Sequence, residues 1–531
     1  MRRRHPQNSA RSGKGRVSRR GFLGGIGTAA VGAGAVAAGA RSVLTDDLDL
    51  DLAQAQQSSG NFGRMFGDLP PFFNGQPAEA IEVAMRECGR PGGMLDANDD
   101  LSAGPVELIL NPDLSVNNPD NPTHTAGTTF FGQFLDHDLT FDATSALGVV
   151  TRPERTPNAR TPLLDLDSLY GRGPFGSPRL YEGDRTKLRI ESGGLFEDVP
   201  REANGTAIIG DPRNDENMMI SGLQSAFILF HNNIVDHLRE TGTRDRLFET
   251  ARRLVTWHYQ WIVVHEFLPQ MLGQEMVDTV FRPRGRRFYR PRSGPFMPIE
   301  FQTGTYRIGH TMVRPSYRAN MAGNPDGTAF FGMIFDPAGE GQADPVDLRG
   351  GKRAPRRFIG WQTFFDFGDG ELKTNKRMDI NISTPLYQLP LGTIPSGDPP
   401  ISLPERNMLR HITWSIPSGQ AVAQRMGVPA LGAADFPELD GMGLNLQNST
   451  PMWHYVCKEA EVMEDGLHMG PVGGRIVGEV FAGVLQLDPN SYLHRSGWRP
   501  TLPDRAGNVT GNFTMVDLLT FAGVDPASRG Q

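Results

Sequence analysis

The 531-residue sequence is 38% hydrophobic and 21% charged, which is the balance of a largely globular chain with enough length for a large core. Its 63 glycines and 41 prolines point to many loops between elements, and no fixed repeat period occurs. The formal net charge is −7, and the first 40 residues hold eight Lys or Arg and no acid, so the remainder stands at −15, a poor balance for binding nucleic acid.

Residues 1–40 contain "SRRGFLGG", a Gly/Ala-rich uncharged run and the small-residue end "AVAAGA". A basic segment, a weakly apolar run and an A-x-A end make an export signal. Arg19 and Arg20 followed by Phe22 and Leu23 resemble the twin-arginine type. The run is too rich in Gly and Ala for a good spanning helix, which favours cleavage over a membrane anchor and a secreted or periplasmic destination. Residues 41–60 read as an acidic polar linker. From residue 61 to about 528 no second composition break appears, and the expectation is one large, mainly α domain with long loops and little β. Only Cys88 and Cys457 occur, so a single disulfide is the most the chain can hold.

The stretch "FFGQFLDHDLTFD" (130–142) sets polar groups among apolar ones. Buried polar groups need partners, so this pattern asks for a site. On a helix over 129–140, Gln133, Asp136 and His137 fall at i, i+3 and i+4 and share one face. Asp138 lies about 100° round from His137 and needs a different partner. Downstream, "RTPLLDLDSLYG" offers side-chain oxygens at Thr161, Asp165 and Asp167 and a backbone carbonyl at Leu163, a set that suits calcium. Taken alone, that segment reads equally as a turn with solvated aspartates.

Three further segments read as helices. In "SGLQSAFILFHNNIVDHLRE", Leu223, Phe227, Phe230, Ile234 and Leu238 recur at three- and four-residue steps. "RLFETARRLVTWHYQWIVVHEFLPQMLG" is long and aromatic-rich, and "GPVGGRIVGEVFAGVLQLD" is the third.

Taken in order, "FGQFLDHDLTFD", the calcium-type segment, "GDPRNDEN", "YRIGHTMV" and "RNMLR" resemble the animal-type haem peroxidases (the peroxidase–cyclooxygenase superfamily, in its myeloperoxidase-like part), and within it a bacterial branch. The likeness spans roughly residues 61–500. It implies haem b, with His310 as axial iron ligand and Asn407 as partner of its other ring nitrogen. It implies Arg307 and Arg410 as propionate partners, and Asp136 and Glu216 as carboxylates that can form ester links to the haem. Asn217 stands where members with a third, sulfonium link carry Met. His137 becomes the proton-transferring base, Arg213 the fixed positive charge at the O–O bond and Gln133 a ligand of water or a small anion. The implied reaction reduces hydrogen peroxide to water by way of a ferryl intermediate, with halide, pseudohalide or small phenolic donors. Calcium, held by Asp138, Thr161, Leu163, Asp165 and Asp167, is the second implied cofactor.

Two other readings share this fold. A fatty-acid dioxygenase or cyclooxygenase-like enzyme uses a Tyr three residues before the proximal His; here that position is Arg307, and Tyr306, one step off, is expected on a different helical face. A secreted adhesion protein is the other, and retention of His137 and Arg213 argues against it. A zinc enzyme is disfavoured by the absence of HExxH. His231 is expected to be structural, and His258, His265, His411, His454, His468 and His494 carry no comparable constellation.

Overall fold

Apolar residues repeated at helical spacing set the framework of this structure, a computed structural model that describes residues 60–351 and 353–531. The export signal and most of the linker lie outside the described residues. The helices that build the site are numbered here in chain order: α1 (Ala78–Cys88), α2 (Ala126–Leu139), α3 (Met218–Glu240), α4 (Leu247–Ile262), α5 (Leu403–Thr413), α6 (Met452–Glu464) and α7 (Pro471–Leu487). Strand is confined, among the described residues, to three two-stranded antiparallel ladders. The architecture is mainly α with long loops.

Helix α2 starts where the extended segment Asp120–Thr125, paired with Thr374–Lys376, turns inward. Its first turn packs so tightly that a Cβ at Gly127 would lie 2.3 Å from the Phe365 ring. Phe130, Phe131, Phe134, Leu135 and Leu139 are all buried. Phe134 stacks on Phe227 of α3 at 4.6 Å between ring centroids, and Phe131 meets Phe267 edge-on at 5.7 Å. The α3 stripe read from the sequence (Leu223, Phe227, Phe230, Ile234, Leu238) is buried throughout, and α3 lies against both α2 and α4.

The long aromatic segment follows one helical path with a change of winding: α4 passes into a π-helical turn at Val263–Phe267, then an α turn at Leu268–Leu272 that stops at Gly273. Helices α1, α5 and α6 were not evident from periodicity. Their apolar positions are interleaved with charged residues on short stretches, and tertiary contacts decide them: α1 packs on α5, and α5 on α6.

Cys88 and Cys457 are both free and buried, and Cys88 Sγ lies 3.7 Å from Met442 Sδ. Burial pushes the Cys88 thiol up to about 12, so it is unreactive. No helix among the described residues is long and apolar enough to cross a membrane.

Removing the Phe134 ring takes a fully buried aromatic from the α2–α3 contact. Phe134→Ala is expected to lower unfolding free energy by about 3–5 kcal/mol in a denaturant titration. A loss below about 1 kcal/mol, the level of a surface change, would contradict this packing.

Candidate active site

Helix α2 carries its polar residues in two directions. Gln133, Asp136 and His137 face one cavity, whose walls also include Arg213, Glu216, Arg307, His310 and Arg410. The cavity holds ≈ 230 Å³, against roughly 10–15 Å³ needed to admit one water by the same measure. It has room for much more than a single water.

His137 is buried, and its Nδ1 lies 2.7 Å from Asn214 Oδ1. Burial, reinforced by the nearby Arg213 charge, pulls its pKa down to about 4, so the ring is neutral at neutral pH. Gln133 Nε2 donates to Glu216 Oε2 at 3.0 Å, and Asn217 Nδ2 donates to Gln133 Oε1 at 3.2 Å. Burial raises Glu216 to about 8. Asn217 also caps α3, because its Oδ1 accepts the Ile220 N–H at 3.0 Å. Asp136 accepts from the Thr140 hydroxyl at 3.1 Å.

Arg213 sits in the tight turn Pro212–Asp215 that Asp211 caps. Its Nε and Nη2 donate to Asp211 at 3.0 and 2.8 Å, and Nη2 also donates to the carbonyls of Thr140 (2.6 Å) and His137 (3.2 Å) at the end of α2. Nη1 is left toward the cavity, 3.8 Å from Asp136 Oδ2. Phe141 lies under the guanidinium at 4.4 Å.

The second wall comes from Glu300–His310. It winds as a π-helical turn (Glu300–Thr305) and then a 3-10 turn (Tyr306–His310), anchored by Glu300, which accepts the N–H groups of Met65 and Phe66 at 3.0 Å each. In a 3-10 turn residues three apart eclipse, so Arg307 and His310 share a face. The expectation that Tyr306 points elsewhere is corrected: it lines the same cavity, and its hydroxyl donates to the Gly132 carbonyl at 3.1 Å.

Three observations test the fit of a haem here. His310 Nε2 has no hydrogen-bond partner among the described residues, while Nδ1 lies 2.9 Å from the buried Asn407 amide, whose Oδ1 is unpartnered as placed. Amide O and N are assigned from the network; with the amide turned, Oδ1 accepts from Nδ1–H and the Nε2 lone pair faces the cavity. A Cβ at Gly309, in the cavity wall, would meet nothing within 4 Å, which leaves open space beside His310 for a flat group. Arg307, Arg406 and Arg410 line the cavity together. Burial and the neighbouring guanidiniums pull Arg307 down to about 9, and it pairs with no carboxylate among the described residues; its Nε donates to the Gln302 carbonyl. Such a cluster suits a doubly carboxylated ligand. Arg410 also pairs with Asp142 at 3.2 Å. The residues fit haem.

Asp138 points away from the cavity, as its place on α2 requires. Its carboxylate oxygens accept from Tyr259, Leu166 N–H and Ser168 at 3.0, 3.1 and 3.3 Å. Ligand atoms of Asp138, Asp165 and Asp167 lie within 4.8 Å of one another. Thr161 donates to Asp165 at 2.8 Å, Leu163 lies in the bend between these two, and Asp167 Oδ1 makes no hydrogen bond. Burial, with mutual repulsion, raises all three carboxyls, Asp167 to about 7. Three crowded carboxylates, one buried and two half-buried, with oxygen neighbours suit a hard divalent cation.

Sequence reasoning did not single out Asn214, Gln224, Arg160, Asp211 or Arg406. Arg160 Nε donates to Asp211 Oδ2 at 2.7 Å, and its Nη1 lies 3.6 Å from Asp167 Oδ1. It therefore joins the aspartate cluster to the Asp211–Arg213 pair. Arg406 lies one helical turn before Arg410, and that spacing was the available signal. His231 is structural as expected, bonded to the Tyr170 hydroxyl and the Thr186 carbonyl.

Calcium loading should show in the pH dependence of stability. Without a cation, the folded carboxyls titrate above the ordinary aspartate value of about 3.9, so the folded chain binds more protons than the unfolded one. Stability of the chelated protein is then expected to fall as pH rises from about 4 through the Asp167 value of about 7. Thermal midpoints with calcium and with chelator should diverge between pH 4.5 and 7.5. A gap that stays constant with pH would contradict this cation site.

Residues 144–338 match the family model described as animal haem peroxidase. Peroxidase mlt-7 of Caenorhabditis elegans is 28% identical over 217 residues, 37% of this chain and 29% of that protein. The chain spans less than a third of the length of the first curated relatives it matches. Among solved structures, Peroxidase A from Dictyostelium discoideum aligns with a TM-score of 0.54 at 16% identity, covering 82% of this chain and 88% of that one. The fatty acid alpha-dioxygenase of Arabidopsis thaliana aligns with a TM-score of 0.53 at 15% identity, covering 81% and 72%. At these identities the two structures speak for the fold alone. The family match thus falls on the segment 144–338, which carries Arg213 and His310, and this part of the chain is similar to the animal haem peroxidases.

Proposed function

We propose that the chain is an exported haem peroxidase that reduces hydrogen peroxide to water and oxidises halide, pseudohalide or small phenolic donors. One observation carries the reading: a single cavity joins His137, Arg213 and Gln133 to a His310 whose Nε2 is unbonded and whose Nδ1 meets Asn407. Export rests on the pattern in residues 1–40.

When bound, the haem supplies the iron at which the peroxide O–O bond breaks and the oxidising equivalents passed to donors. His310 Nε2 would hold the iron. A neutral amide partner at Nδ1 keeps this imidazole a weaker donor than a carboxylate partner does. Arg307, Arg406 and Arg410 would hold the propionates, and Asp136 and Glu216, both in the cavity wall, would be the carboxylates of any ester link. His137, neutral at working pH, accepts the peroxide proton at Nε2 and returns it to the departing oxygen as water. Arg213 Nη1 presents a fixed charge where negative charge develops on that oxygen. Its position does not drift, because the other guanidinium nitrogens are bonded to Asp211 and to α2. Calcium, held by Asp138, Thr161, Leu163, Asp165 and Asp167, would pin the residue next to His137.

Fatty-acid oxygenation is the second reading, favoured by Tyr306 in the cavity wall. Oxygen uptake with a long-chain fatty acid that is lost in Tyr306→Phe would support it over donor peroxidation.

His310→Ala is expected to lose or loosen haem. His137→Ala is expected to keep haem and to slow the reaction with peroxide by about 10²–10⁴-fold, the general-base contribution. Absorption spectra and stopped-flow mixing with peroxide separate the two, and equal haem loss in both variants would contradict the assignment.

Asn217 cannot make a sulfonium link, and its amide already caps α3. The haem potential is then expected to suffice for bromide, iodide and thiocyanate but not for chloride at neutral pH. Stopped-flow reduction of the peroxide-oxidised protein checks this: rapid reduction by chloride would show that the missing link is not decisive.

A further inference from the structure

We propose that Asn214 is a positioning residue: it holds His137 in the tautomer with its proton on Nδ1 and its lone pair on Nε2 toward the cavity, and Gln224 holds Asn214 in turn. The inference rests on the peroxidase reading of the cavity and goes beyond it in naming what prepares the base. The geometry is a chain of buried groups. His137 Nδ1 lies 2.7 Å from Asn214 Oδ1, and Asn214 Nδ2 donates to Gln224 Oε1 at 2.8 Å. Asn214 and Gln224 are 0% and 1% exposed, so water does not compete for either amide.

Both supports are rigid. Asn214 sits in the turn that Asp211 caps, and its own N–H donates to the Asp211 carbonyl at 3.0 Å. Gln224 lies near the start of α3. A neutral imidazole presents a proton at one nitrogen and a lone pair at the other, and the partner of one nitrogen decides the state of both. Water favours the Nε2–H form, which cannot accept a proton at Nε2. An acceptor oxygen at Nδ1 selects the opposite form. The amide of Asn214 can supply either an oxygen or an N–H to His137, and with Gln224 Oε1 toward its Nδ2, as placed, it presents the oxygen.

The test uses ligands that differ only in their need for a base. Hydrogen cyanide gives up its proton to the cavity base as it binds the haem protein; carbon monoxide has none to give. Asn214→Leu is expected to slow association of hydrogen cyanide and of peroxide roughly 10–100-fold, the usual loss for a group that orients a functional histidine. Carbon monoxide binding to the reduced protein should be unchanged. Asn214→Asp, which can only accept, should restore most of the loss. Gln224→Leu should show a smaller loss in the same pattern, and Gln224→Glu should restore it. Should Asn214→Leu not fold, Gln224→Leu and its Glu rescue decide the question. Unchanged cyanide association in the Leu variants, or parallel slowing of carbon monoxide, overturns the positioning role. A parent protein that binds neither ligand overturns the reading of the cavity and this role with it.

Discussion

One guanidinium holds the end of α2 in place. Arg213 donates to the carbonyls of His137 and Thr140, and it is itself fixed by both oxygens of Asp211. A cation at the C-terminal end of a helix satisfies carbonyls that have no partner within it and complements the helix dipole. Asp211, flanked by Arg160 and Arg213, is held well below the ordinary carboxylate range. The site depends on this chain of buried charges. Removing Asp211 would take the closest carboxylate from two buried guanidiniums at once, which is far more damaging than the pairs are stabilising.

The same chain links two places that α2 separates. Asp138 points into the cluster with Asp165 and Asp167, and Arg160 reaches from Asp167 to Asp211. A cation bound among those aspartates would reach the cavity by two routes: through the backbone from Asp138 to His137, and through Arg160 and Asp211 to Arg213. On the other wall, winding replaces charge as the organising device. The 3-10 turn Tyr306–His310 brings Arg307 and His310 to one face, and α5 places Asn407 behind the ring.

Much of this was legible in the sequence, because helix geometry turns spacing into direction. Gln133, Asp136 and His137 do share the cavity, and Asp138 does leave it for Asp165 and Asp167. The stripe of α3 was equally readable. Tyr306 was misread because a different helical face was taken to mean departure from the cavity, whose wall includes Tyr306 as well as Arg307 and His310. Asn214 and Gln224 left no periodic signal: each is a single neutral amide, and Asn214 meets a histidine 77 residues away in the chain. Arg160 escaped because its two carboxylate partners lie on separate loops, so only the folded chain shows it as a bridge.

The proposed function stands on a haem held by His310 in this cavity. Anomalous diffraction from crystals of the purified protein, collected at the iron edge, tests it directly. The expected result is an iron peak within bonding distance of His310 Nε2, on the cavity side of the ring. An iron peak bound elsewhere, or haem-loaded protein with His310 Nε2 unligated, would contradict it.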